Sequence, residues 1–74
     1  MKVTAKLFAT LRESRGKQLD IEIEEGANVL SVLEKLSIKK TDVTIILVNG
    51  NNTGVDALLS EGDTLSLFPP VGGG

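Results

Sequence analysis

At 74 residues the chain has room for a single domain, one that buries only roughly 60% of the surface its unfolded form exposes. Its 41% hydrophobic and 24% charged residues mark it as globular. The absence of Cys and His excludes a disulfide framework and a thiolate nucleophile, and removes the commonest general base and metal ligand. A formal net charge of −2, with no basic run longer than Lys39-Lys40, argues against nucleic-acid binding. The longest apolar run, Ile45 to Val48, is far short of a membrane span, and the opening residues have no apolar leader core, so a cytoplasmic protein is expected.

The elements follow in chain order. Residues 2–8 alternate, with Val3, Ala5 and Leu7 on one face and Lys2, Thr4, Lys6 and Phe8 on the other, which predicts a half-buried strand. Thr10 and Glu13 have the spacing of a capping box around one short helical turn, and Gly16 stops it. Residues 17–24 alternate again and predict a second strand, antiparallel to the first. Its Asp20, Glu22 and Glu24 then share the solvent face with Lys2 and Lys6. Asn28 is a good N-cap for a helix over 29–37, where Val29, Leu30, Leu33 and Leu36 recur at helical spacing and Val32 widens the stripe.

Residues 43–48 are β-branched and apolar on both faces, which predicts a strand interior to the sheet or covered on both sides. Asn49-Gly50 is a hairpin signal leading to a brief edge strand near 51–53. Val55, Leu58 and Leu59 are expected to pin the next loop to the core. The last strand, 64–68, turns Leu65 and Leu67 inward and Phe68 outward, and Pro69-Pro70 ends its pairing. The order β-β-α-β-(β)-β, with the first and last strands as parallel central neighbours, describes an α+β domain of one main helix on a mixed sheet of four to five strands.

Two features are left over once the core is assigned. The ending Val71-Gly72-Gly73-Gly74 follows a stiff Pro-Pro pair that directs it away from the sheet. Four such residues reach roughly 13 Å, and the last three, without Cβ atoms, can enter a channel too narrow for side chains. A frayed end is the plain reading; a tail over 68–74 that delivers the carboxylate of Gly74 into a partner's active site is the functional one. A carboxylate is a poor electrophile, so it would need activation, most simply as an acyl-adenylate made by a partner using ATP. The second feature is that Phe8 and Phe68, the only aromatic residues, both fall on the polar face, at the root of the tail and beside one face of residues 45–48. Together they outline a docking patch. The acidic row reads as a solvated strand face with steering toward a basic partner as a second role. The Glu61-Gly62-Asp63 segment reads as a polar turn rather than a cation site, and no metal ligands are assigned.

The segment Phe68-Pro69-Pro70-Val71-Gly72-Gly73-Gly74 resembles the Phe-Pro-Pro-Val-x-Gly-Gly terminus of the MoaD/ThiS family of ubiquitin-like sulfur carriers, in particular its molybdopterin synthase branch. Leu7 to Glu13 is similar to the family's Phe-Ala-x-Leu-Arg-Glu segment, and Glu61-Gly62-Asp63 to its Gly-Asp turn. The resemblance implies a β-grasp fold over residues 1–74 and a sulfur-delivery cycle. In that cycle an E1-like adenylating enzyme uses ATP and magnesium to activate Gly74, and a sulfur donor protein converts it to a thiocarboxylate. The large synthase subunit then receives the tail while a pterin precursor takes the sulfur. Gly74 carries the sulfur and Gly73 gives slimness, while Phe8, Phe68, Pro69, Pro70, Val71 and Gly72 face partners; no cofactor is bound by the carrier itself. A thiamine-pathway carrier and a protein modifier forming isopeptide bonds would use the same activated glycine.

Overall fold

The computed structural model describes residues 1–70; Val71, Gly72, Gly73 and Gly74, and the roles expected of them, lie outside the described residues. Five strands form one mixed sheet: β1 (Lys2–Leu7), β2 (Gln18–Glu22), β3 (Ile45–Val48), β4 (Asn51–Asn52) and β5 (Thr64–Phe68). Their order is β2-β1-β5-β3-β4, with β1 and β5 parallel at the centre and the other pairs antiparallel. The helix α1 (Val29–Lys35) completes the two layers. Its Val29, Val32 and Leu33 join Val3, Ala5 and Leu7 of β1 and Leu65 and Leu67 of β5 in a core where none of the eight is more than 1% exposed. These are the residues whose spacing marks them as inward-facing, and no polar residue is buried among those described.

The start of α1 is satisfied from three directions. Asn28 Oδ1 accepts from Ser31 N–H at 3.0 Å, and Ser31 Oγ accepts from Asn28 N–H, closing a capping box. Val29 N–H and Leu30 N–H, which have no partner inside the helix, donate to Ala57 and Val55 carbonyls. The 53–59 loop is therefore fastened to the helix by backbone bonds as well as by Leu59. Leu58 does not pin it: it bridges Asn28 in extended geometry between the inward Ala57 and Leu59, and alternation leaves it 72% exposed.

Other boundaries shift for local reasons. The helix ends at Lys35 rather than residue 37 because Ser37 adopts φ 58, and Ile38 N–H returns to Leu33 O while Ser37 N–H returns to Glu34 O. This is a Schellman ending with serine where glycine is usual. The turn after β1 is a 3-10 turn over Ala9–Arg12 whose cap is Phe8, with no side-chain cap bond. The Thr10–Glu13 box does not form because Thr10 lies inside the turn and Glu13 closes it through its N–H to Thr10 O. Strand β3 begins at Ile45 because Lys40–Asp42 form a second 3-10 turn. It is interior to the sheet but covered on one side only: Ile46 is buried, whereas Ile45 is 42% exposed. Across β1–β2, Lys2 faces Glu22, but Lys6 faces Gln18 and Thr4 faces Asp20, so the register gives a single acid–base pairing on that face.

Candidate functional site: an aromatic docking surface

The outward face is built by strand parity. In the parallel ladder Lys6 pairs with Ser66 and Leu7 with Leu67, which places Phe8 beside Phe68 one step beyond. Their ring centroids are 4.2 Å apart and the planes 9° from parallel. The rings are stacked, and the strand register is what brings them together. Backbone bonds lock that register on both sides of Phe68. Phe8 N–H donates to Leu67 O at 3.2 Å, and Thr44 N–H donates to Phe68 O at 2.8 Å.

Ile45 lies across from Phe68 on β3, and Leu47 across from Ser66. The row Ile45–Phe68–Phe8 thus forms an apolar band across three strands, with both rings half-buried. The expectation that one face of 45–48 joins the aromatics resolves to Ile45 and Leu47. Beside the band, half-buried Pro69 and exposed Pro70 border an open groove of about 460 Å³ whose other walls include Leu11, Arg15 and Ile38. Phe8, Phe68, Pro69 and Pro70 are accordingly brought together at the point where the chain leaves the sheet, while Val71, Gly72, Gly73 and Gly74 lie outside the described residues.

Two further residues belong to this site. Arg12 places its guanidinium carbon 5.4 Å from the Phe8 ring centroid and donates from Nε to Leu7 O at 2.8 Å. Ala9 holds φ 53, a left-handed conformation that costs an alanine about 1–2 kcal/mol. It turns the chain sharply enough for Arg12 to come back over Phe8. The four-residue spacing from Phe8 to Arg12 is the one signal in the sequence for the first; nothing in it announces the second.

The remaining candidates have structural partners. Asp63 accepts from Ser60 N–H at 2.7 Å and from Asn49 Nδ2 at 2.9 Å, and Glu61 Oε1 accepts from Lys2 N–H at 3.1 Å. The 61–63 segment is a turn held by its own carboxylates. Among the described residues no group of three His, Cys, Asp or Glu could hold a metal ion, and no helix is long and apolar enough to cross a membrane. What the geometry provides is an apolar surface at the root of the C-terminal segment, suited to binding a partner.

Known proteins with this architecture share both the sheet and the extent of the chain. A Pyrococcus furiosus protein assigned as molybdopterin converting factor subunit 1 is 30% identical, with a TM-score of 0.78 over 96% of this chain and 99% of its own. Small archaeal modifier protein 1 from Methanosarcina acetivorans is 31% identical, with a TM-score of 0.76 over 99% and 96%. At 24% identity, a complex of subunits 1 and 2 of the molybdopterin-converting factor from Helicobacter pylori repeats the fold with a TM-score of 0.68 and full coverage of both chains. No curated protein sequence matches the chain significantly. The ubiquitin-like β-grasp topology is thereby shared with a molybdopterin converting factor subunit and a small archaeal modifier alike. The ThiS family model matches residues 5–74, from the middle of β1 through the last glycine, and the chain belongs to the ThiS family of ubiquitin-like sulfur carriers.

Proposed function

We propose that the chain is the sulfur-donating small subunit of a molybdopterin synthase. In this reading the carboxylate of Gly74 attacks the α-phosphorus of ATP on an E1-like, magnesium-dependent enzyme, releasing pyrophosphate. Sulfur at the sulfide level from a donor protein then displaces AMP to leave a thiocarboxylate. On the large subunit that sulfur attacks a carbon of a pterin precursor and displaces an oxygen substituent. Water then cleaves the resulting thioester, regenerating the Gly74 carboxylate and leaving the sulfur on the pterin. Gly72 and Gly73, without Cβ atoms, are slim enough to enter both active sites, and Val71 joins Pro69 and Pro70 in contacting the partners. The cycle takes place in the cytoplasm.

The observation that carries this reading is the Phe8–Phe68 stack standing beside Pro69 at the exit of the Gly-rich segment. Surface and tail are then delivered as one unit, as a carrier with two successive partners requires. The Pyrococcus subunit and the Helicobacter two-subunit complex support the pterin branch and a large-subunit partner. The Methanosarcina modifier favours a second reading, in which the same activated glycine is transferred to lysines; a thiamine-pathway carrier would share the activation step.

Intact-mass spectrometry after incubation with an activating enzyme, ATP, magnesium and a sulfide source tests the proposal. Replacement of one oxygen by sulfur at the last residue is the expected result. Protein-linked ladders that require the terminal glycine would favour modification, and an unchanged mass would remove both readings.

A further inference from the structure

Arg12 and Arg15 lie three residues apart in the same turn, yet the structure uses them differently. Arg15 is half-buried and committed: Nε donates to Leu36 O, Nη2 to Ser37 O, and Nη1 to Leu11 and Glu13 carbonyls. It closes the C-terminal end of α1 against the 9–12 turn. Arg12 is exposed and makes a single hydrogen bond, from Nε to Leu7 O. Among the described residues neither of its Nη atoms has an acceptor, and the adjacent carboxylate of Glu13 forms no ion pair with it.

The guanidinium is nevertheless held in place. Phe68 stacks on the Phe8 ring at 4.2 Å, and the Arg12 guanidinium carbon stands over the same ring, 5.4 Å from its centroid. Cation–π contact and the Leu7 carbonyl orient the group from two directions. An arginine kept in one orientation by its Nε, with both Nη atoms open, is a planar fork whose ordering cost has already been met. It stands at the rim of the apolar band rather than within it, where it meets a partner's polar border.

We infer that Arg12 is a specificity-determining residue of the docking surface, receiving an Asp or Glu carboxylate of the partner protein in a two-pronged hydrogen bond while the aromatic pair fills an apolar recess beside it. This rests on the reading of that face as a protein-docking surface. A carboxylate is favoured over a phosphate because the chain is acidic overall, at −2, and Asp20 and Glu22 stand on β2, the edge strand paired to β1. That field repels free polyanions, whereas one carboxylate in a mixed or basic protein surface is accepted.

Calorimetric titration of the purified large synthase subunit of the same organism into wild type, Arg12→Lys and Arg12→Gln tests the inference. NMR monitors the Phe8–Phe68 ring contact in each variant. Arg12→Lys is expected to weaken binding by about tenfold and Arg12→Gln by up to about a hundredfold, with the ring contact intact. Binding of Arg12→Lys equal to wild type would reduce the residue to a point charge and overturn the inference, as would unchanged binding of Arg12→Gln. Affinity lost only where the ring contact is also lost would assign Arg12 a merely structural part and equally overturn it. A shift of the Arg12 Nε–H signal by inorganic phosphate, with none on adding the subunit, would identify the wrong anion. Failure of the wild type itself to bind would remove the docking reading and, with it, this inference.

Discussion

Phe8 and Phe68 meet at 4.2 Å because Leu7 and Leu67 are partners in the parallel β1–β5 ladder and each aromatic is the next residue in the chain. The contact is thus a product of register, and it brings residues sixty positions apart to the place where the chain turns away from the sheet. Neither ring belongs to the buried core.

Replacing Phe68 or Phe8 by Asp should therefore damage docking more than folding. Half-buried rings and a stacked pair contribute on the order of 2 kcal/mol or less, whereas a charge in the centre of an apolar interface removes a hot spot outright. Calorimetry against the large subunit should show binding weakened at least about a hundredfold, with a cooperative melt retained. Unchanged affinity, or collapse of the fold, would count against the patch.

The core can be separated from the surface by two leucines. Leu65 is fully buried on β5 and Leu58 is 72% exposed. Leu65→Ala should cost about 2–5 kcal/mol, a large part of the roughly 4–11 kcal/mol available to a domain of this length. Leu58→Ala should fall within about 0.5 kcal/mol of wild type. Urea titration followed by circular dichroism distinguishes them, and comparable losses would show that Leu58 packs.

That contrast also shows where a sequence can be read and where it cannot. Period-two alternation identifies the inward residues of β1 and β5, helical spacing identifies Val29, Val32 and Leu33, and Asn28 announces its own cap. Parity alone also placed the two aromatics on one face. What the residues did not disclose depends on backbone states open to any side chain at moderate cost. Ser37 ends the helix and Ala9 starts the 3-10 turn in left-handed conformations that would have been expected of glycine. Leu58 points outward, against the expectation that it pins the loop, because a single isolated bridge to Asn28, invisible in the local pattern, decides its direction. The pairing of Arg12 with Phe8, and the different use of Arg15, depend on how that turn is set against the sheet.

Asn49 offers a test of how the β3–β4 hairpin is joined to β5. With φ 52 at Asn49 and 85 at Gly50, both central residues are left-handed, as a type I′ turn requires. The Asn49 side chain also accepts from Thr64 N–H at 2.9 Å and donates to Asp63. Asn49→Gly keeps the backbone state and loses the side-chain bonds, so it should cost about 1–2 kcal/mol. Asn49→Ala loses both and should cost about 1 kcal/mol more. Equal midpoints for the two variants would show that the turn conformation is not under strain.

The capping box at the start of α1 should behave as a unit. Asn28 Oδ1 accepts from Ser31 N–H and from the Ser31 hydroxyl, both at 3.0 Å, and Ser31 Oγ accepts from Asn28 N–H at 3.4 Å, so the two side chains share one direct bond that either truncation removes. Asn28→Ala should destabilise by about 1 kcal/mol, shifting the melting midpoint by roughly 4–8 °C. Ser31→Ala should cost less, since Asn28 Oδ1 can still accept from the residue 31 N–H. The double variant should lose less than the sum, because the reciprocal bond is counted in both single changes. Strict additivity would mean that the two side chains act independently.

Removal of Gly74 separates chemistry from folding. The buried core runs from Val3 to Leu67, and the last ladder bond involving β5 is made by the Phe68 carbonyl. Deleting the final residue removes none of these contacts, so the melting midpoint and far-ultraviolet circular dichroism should match those of the full chain. The new terminus is again a glycine carboxylate, but it is displaced by one residue, roughly 3.3–3.6 Å. A misplacement of about 1 Å can cost an enzyme on the order of a hundredfold in rate, so adenylation and sulfur loading should fall below detection in the intact-mass assay. Loading at the wild-type rate in the shortened chain would show that the activating enzyme does not measure reach, and the assignment of Gly74 as the sulfur-bearing residue would fail while the fold stood.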